Sequence, residues 1–253
     1  MRYKITLSYS GADFCGWQIQ PHDPSVQQTL QDALSKLLGE EISVTGAGRT
    51  DTGVNAINYA AHFDFCGEIE CKELRYKLNA ILPASIAVSE VVTVADDFHA
   101  RFGATKREYT YFLHTVKDPF VSKYSLPCFY PLDFEAMNRA AAVLTGTHDF
   151  SCFEKTGADN KTSICTVTEV GWHRYTPSHI AVSGGCADNY WFFRISADRF
   201  LRNMVRATVG TLLEIGRGKR SEDSLEELLK SGDRCRAGES VPGFPLFLSG
   251  IKY

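Results

Sequence analysis

Hydrophobic and polar positions alternate at the start of the chain. Tyr3, Ile5, Leu7 and Tyr9 fall on one side of an extended segment and predict a strand with one buried face. The period then changes to that of a helix. In SVQQTLQDALSKLLG the apolar stripe is Val26, Leu30, Ala33, Leu34, Leu37 and Leu38, Ser25 and Gln28 make a capping-box pattern, and Gly39 marks the stop. EISVTGAGR reads as a short strand entering a glycine-rich loop, and INYAAHFDF as another strand leaving it. The loop therefore joins two strands and opens no helix. ECKELRYKLNAILP predicts a short helix closed by Pro83, and SIAVSEVVTVAD a further strand.

The second half repeats the theme. TKREYTYFLHTV alternates, with Tyr109, Tyr111 and Leu113 on one face. DFEAMNRAAAVLTG predicts an amphipathic helix with Asp133 as its N-cap and Gly146 as its stop. ICTVTEVGWHRY, HIAVSGG and NYWFFRIS read as strands. ADRFLRNMVRATVGTLLEIG reads as the longest helix, with Phe200, Leu201, Met204, Val205, Thr208, Val209, Leu212 and Leu213 at helical spacing. Strand runs broken by single helices predict an α+β fold: two sheet-and-helix halves with largely antiparallel sheets, residues 1–105 and 106–253.

Composition narrows the class. A 253-residue chain buries roughly three-quarters of its unfolded surface and needs neither disulfide nor metal to hold it. The eight cysteines are scattered, and Cys66 and Cys71 have no second pair or nearby histidine to complete a zinc site. No apolar run approaches the ~20 residues of a membrane helix, and the N-terminus lacks the apolar segment of a signal peptide, so a cytoplasmic protein is expected. The net charge of −3 argues against indiscriminate polyanion binding, yet Arg194–Arg220 holds seven basic residues against two acidic ones, a local field suited to phosphates.

The polar loop GAGRTDTGVNA, residues 46–56, is the candidate for chemistry. GAGRTD lacks the third glycine and the following helix of a dinucleotide site, and GRGKR at 216–220 lacks the Walker spacing, so no cofactor is expected. Asp51 is an anion at neutral pH, like any ordinary aspartate, which suits a nucleophile or base better than a general acid. An Asp/Thr/Gly turn capping its own backbone is the other use of this composition. Arg206, between Val205 and Val209, is expected to be partly buried and to want a carboxylate partner, with Arg202 one turn away. Arg107 beside Tyr109 and Tyr111 interleaves cation and aromatic ring, as in surfaces that stack bases and neutralise phosphates, although strands also carry tyrosines for packing.

With these segments in view the chain resembles the TruA family of tRNA pseudouridine synthases almost end to end. The likeness runs through YSGADFCGWQIQP, SVQQTLQDAL, GAGRTDTGV, LNAILP, FHARFGATKREYTYFL, GTHDFSCF, FLRNMVRATVGTLLEIGRGK and AGESVPGFPLFLSGIKY, in family order. It implies a pseudouridine-synthase-like fold with the active site in a cleft between the halves. It also implies Asp51 as the catalytic aspartate, Tyr109 as the tyrosine stacking on the target uracil, and Arg206 as the arginine pairing with Asp51. Arg49, Arg107, Tyr111 and Arg202 complete the candidate substrate-binding set. The implied enzyme is an isomerase without cofactor or metal. It works as a homodimer on tRNA, at positions 38, 39 and 40 of the anticodon arm. Asn55 stands where the family has histidine, Ser10 where it has aspartate, and VPGFPLFL varies the usual tail. Two rival readings are a non-catalytic binder of structured RNA and an aspartate-nucleophile hydrolase. The first leaves an anionic Asp51 without a use among phosphates, and the second leaves the basic segment and the tyrosine strand unexplained.

Overall fold

Local chemistry decides the first elements of the computed structural model, which describes residues 1–155, 157 and 162–253. In chain order the elements of the first part are β1 (Arg2–Tyr9), α1 (Val26–Leu38), β2 (Val44–Gly46), β3 (Asn55–Asp64), α2 (Cys71–Ile81) and β4 (Ile86–Val94). Then follow β5 (Lys106–His114), β6 (Leu126–Pro127), α3 (Phe134–Ala141), β7 (Gly146–Asp149), β8 (Ile164–Arg174), α4 (Ser178–Ser183) and β9 (Tyr190–Ala197). The chain closes with α5 (Met204–Gly216), α6 (Ser224–Ser231) and β10 (Leu246–Lys252). These elements form two compact units, Met1–Lys106 with Phe247–Tyr253, and Arg107–Leu246.

In the first unit β1 pairs antiparallel with β3 and β4, β2 pairs antiparallel with β3, and β10 lies parallel to β3 through Phe247 and Leu248. Tyr3, Ile5, Leu7 and Tyr9 are all buried, as their alternation requires. The Ser25 side chain accepts the Gln28 N–H, and Gly39 ends α1 in the left-handed conformation. The buried stripes of α1 (Val26, Leu30, Ala33, Leu34) and α2 (Leu74, Leu78) pack on each other, with α2 also on β4.

In the second unit β5, β9, β8 and β7 form an antiparallel ladder, and β6 adds a short parallel pair to β5. Tyr109, Tyr111 and Leu113 are buried together. Ten of the thirteen residues of α5 are buried, so it is a central helix with no broad polar face. It packs against α3, whose N-cap Asp133 accepts the Ala136 N–H. The α+β class and the antiparallel bias hold in both units.

Four details differ from expectation. HIAVSGG is a short helix, Ser178–Ser183, closed by left-handed Gly184, because the pattern of its apolar residues over so few positions fits either period. The long helix begins only at Met204; Asn203 sits at φ 68°, a conformation asparagine tolerates, and it separates residues 198–202 from α5. The helix α6 was not anticipated at all, although Leu225 and Leu228 are its buried positions and Gly232 its stop. The tail, assigned with residues 106–253 and given no strand, forms β10 and pairs with β3.

One buried group on β3 makes stability depend on pH. His62 is 5% exposed, and its Nδ1 accepts the Ala100 N–H at 3.1 Å. Burial first, then the charges of Arg2 and His99, push its pKa down to about 4, with Asp64 opposing. An unfolded histidine titrates near ~6.5, so between that value and the folded one the unfolded chain binds more protons. Stability is therefore full above the unfolded pKa and falls as pH drops through the window to about 4. The loss should be on the order of 3 kcal/mol. Urea titrations across that pH range should show this slope, and His62→Gln should flatten it. An unchanged slope in the variant would assign the acid sensitivity elsewhere.

Candidate active site

The loop between β2 and β3 is fixed from beneath by aromatic side chains. Tyr59 of β3 and Trp17 lie with ring centres 4.2 Å apart, and the Tyr9 ring meets Tyr59 edge-on at 5.7 Å. Their polar ends hold the loop backbone. The Tyr59 hydroxyl donates to Gly48 O at 2.5 Å and accepts the Gly48 N–H at 3.2 Å. Tyr9 and Thr50 share a buried 2.8 Å hydrogen bond between hydroxyls. Ala47 N–H donates to Ala60 O, and Val54 N–H to Asp51 O, which closes the turn. Asp51 is half-buried at the head of this construction and Arg49 is exposed beside it.

The segment 10–17 braces the other side. Trp17 N–H donates to Thr50 O and Gly53 N–H to Phe14 O, both at 3.3 Å. Asn55, 2% exposed, accepts the Gly11 N–H on Oδ1 at 2.9 Å, which gives the residue in the family's histidine position a structural task. Two glycines are demanded by packing. A Cβ on Gly46 would stand 2.5 Å from the Trp17 ring and 2.2 Å from the Tyr59 hydroxyl oxygen. Gly16 has φ +95°, and a Cβ there would stand 2.3 Å from Thr50 O. Backbone strain and overpacking together predict that Gly16→Ala loses about 3 kcal/mol of stability. A urea midpoint equal to wild type would show that segment 10–17 does not brace the loop.

The other candidates lie in the second unit. Tyr109 is 9% exposed and meets Phe200 edge-on, ring centres 4.9 Å apart. Arg206, on the first turn of α5, is half-buried; its Nε donates to Val241 O at 2.7 Å, and Val241 N–H donates back to Arg206 O at 3.2 Å. Burial raises the Tyr111 phenol pKa, and the Arg206 charge opposes that shift. Tyr111 is fully buried and presents no surface of its own to RNA. Arg107 is half-buried and donates from Nη1 to Asp198 O at 3.0 Å. Arg202 is exposed, but it precedes α5 and is not on the same helix face as Arg206.

The basic segment carries less field than its composition implied. Arg194 reaches Glu108 (3.7 Å) and Glu169 (3.5 Å), and Arg220 pairs with Glu214. Arg217 lies over the Tyr130 ring at 4.2 Å. The buried thiols are chemically quiet, since burial pushes Cys152 and Cys165 up to about 12. Thr50, Tyr59, Trp17 and Asn55 escaped the sequence reading as site residues. Their signal was the aromatic content of β1, β3 and the GW dipeptide, but only the fold brings these under the loop.

A half-buried carboxylate on so tightly held a loop is suited to act without reorganisation, as nucleophile or as base. A family model for tRNA pseudouridine synthase matches residues 5–103 and 140–253. Asp51 and Arg206 fall inside the matched segments, and Tyr109 in the stretch between them. A protein named tRNA pseudouridine synthase A from Bacteroides fragilis is 46% identical over 254 residues, covering 100% of this chain and 96% of its own length. One of that name from Bacteroides thetaiotaomicron is 45% identical over 252 residues, covering 100% and 90%. Another from Thermoanaerobacter is 38% identical over 251 residues, covering 98% of both.

Proposed function

The chain belongs to the tRNA pseudouridine synthase family, and on that premise we propose that it isomerises uridine to pseudouridine at positions 38, 39 and 40 of the tRNA anticodon arm. The reaction breaks the uracil N1–C1′ bond, turns the base and rejoins it through C5, with no change of redox state and no energy input. The target nucleotide must first leave its stack, at a cost of a few kcal/mol. Arg49 props the vacated space, and Tyr109 gives up its contact with Phe200 to stack on the flipped uracil. Asp51 attacks the ribose or removes its proton; both routes need the carboxylate ionised and oriented. Arg206 supplies that orientation as a bidentate partner of Asp51. Arg202 and Arg107 contribute charge toward the RNA backbone.

The observation that carries this reading is the build of the Asp51 loop, a carboxylate left half-buried on a backbone tied down at Gly48, Thr50 and Val54. A loop that only gripped phosphate would gain nothing from presenting an anion. Two copies of the chain would join two basic segments into one groove across a homodimer in the cytoplasm, where the tRNA is. No helix among the described residues is long and apolar enough to cross a membrane. Tritium release from 5-tritiated uridine in tRNA tests the isomerisation, and light scattering the dimer. Absent tritium release refutes the activity, and a monomer at working concentration refutes the two-subunit grip.

A further inference from the structure

We propose that Phe102 is a stacking platform for an unpaired base of the tRNA, other than the target uracil that the proposed mechanism gives to Tyr109. The inference rests on the function proposed above only in taking tRNA as the ligand. Phe102 lies in the loop 95–105 between β4 and β5, and it is 76% exposed, although a phenylalanine gains most by burial. Looseness does not explain the exposure, because the loop is tied down on both sides of residue 102. Ala100 N–H donates to His62 Nδ1 at 3.1 Å, and Ala100 O accepts from the Tyr253 hydroxyl at 2.8 Å. Gly103 N–H donates to His99 O and Thr105 N–H to Lys252 O, both at 2.8 Å. The ring also has a fixed backing. His99 lies against it with ring centres 4.4 Å apart and planes 37° from parallel. The Arg101 and Phe102 N–H groups both donate to His99 Nδ1 and hold that imidazole in place. The Arg101 guanidinium stands 5.6 Å from the Phe102 ring centre.

A flat ring fixed in water beside a cation matches the two faces of a nucleotide, a base that stacks and a phosphate that attracts charge. The rigid loop meets the ordering cost before tRNA arrives, so the stacking contact appears as affinity. A base inside a duplex has both faces covered, so the occupant is unpaired. The ring's neighbours His99 and Arg101 are polar, which suits a nucleotide better than an apolar protein surface.

The test uses the full chain with Phe102→Ala, Phe102→Leu and Phe102→Tyr, measured for equilibrium tRNA binding, tritium release, thermal melting and light scattering. Phe102→Ala should bind tRNA about 10-fold more weakly, with kcat at saturating tRNA within about twofold of wild type. Leucine keeps apolar bulk without a flat face and should lose as much. Tyrosine keeps the face and should bind within about twofold of wild type. Melting temperature and oligomeric state should not change in any variant, since the ring is exposed. Wild-type affinity in F102A or F102L overturns the proposal, the second by making the contact simply apolar. A tyrosine variant that binds no better than the alanine one overturns it too. A lower melting temperature would make the ring structural, and a changed oligomeric state would place it between copies of the chain; either result overturns the platform. TRNA binding that depends on Phe102 in a wild-type protein that forms no pseudouridine refutes the proposed activity and leaves the platform standing.

Discussion

Asp51→Asn should fold, bind tRNA and release tritium from 5-tritiated uridine at least about 10³-fold more slowly than wild type. The scaffold of the loop makes this a clean substitution. Its backbone is held by Tyr59 at Gly48, by Tyr9 at Thr50 and by the turn bond from Val54 N–H to Asp51 O. An amide of the same shape keeps those contacts and removes the charge that either route requires. Retained turnover in Asp51→Asn would falsify the assignment of Asp51 as the reacting carboxylate. Loss of folding would instead make the carboxylate part of the scaffold.

The second large effect is at Arg206. Lysine keeps the charge but offers a point donor where the guanidinium offers a fork. Arg206 already spends Nε on Val241 O, and in the proposed mechanism its remaining donors meet Asp51. A lysine cannot satisfy both, so in the proposed mechanism the Asp51 carboxylate loses its fixed orientation. With its charge retained, Arg206→Lys should lose about 10²-fold in kcat and leave tRNA affinity within severalfold. A rate near wild type would show that the proposed pairing with Asp51 is wrong.

Short-range chemistry made most of the elements legible. Ser25, Gly39, Asp133 and the alternation of Tyr3 through Tyr9 act within a few residues, and each does what its pattern required. The misread segments are those where period alone was ambiguous. Six residues around Ile180 were too few to separate strand from helix, and Phe200 and Leu201 kept helical spacing although Asn203 breaks the chain direction after them. The return of β10 to β3 is a pairing of residues nearly two hundred positions apart, which no local pattern encodes.

At the site, residue types were legible and reasons were not. The sequence offered the loop GAGRTDTG either as a home for a reacting Asp51 or as a turn capping its own backbone, and it gave no reason for Gly46. In the fold Gly46 makes room for Trp17 and Tyr59, so the loop's support and its sharp path have one cause. Tyr111 was a candidate for RNA contact because Arg107 interleaves with the strand tyrosines, but its side chain is fully buried in the fold. The charge of residues 194–220 was overcounted because Glu108 and Glu169 come from other strands.

The most direct test of the central claim is to incubate tRNA with wild-type protein and with Asp51→Asn, then map pseudouridine at single-nucleotide resolution. The account predicts pseudouridine at uridines among positions 38, 39 and 40 with the wild type, and none there with the variant. Pseudouridine confined to other positions would contradict the substrate site, and equal modification by both proteins would contradict the chemistry.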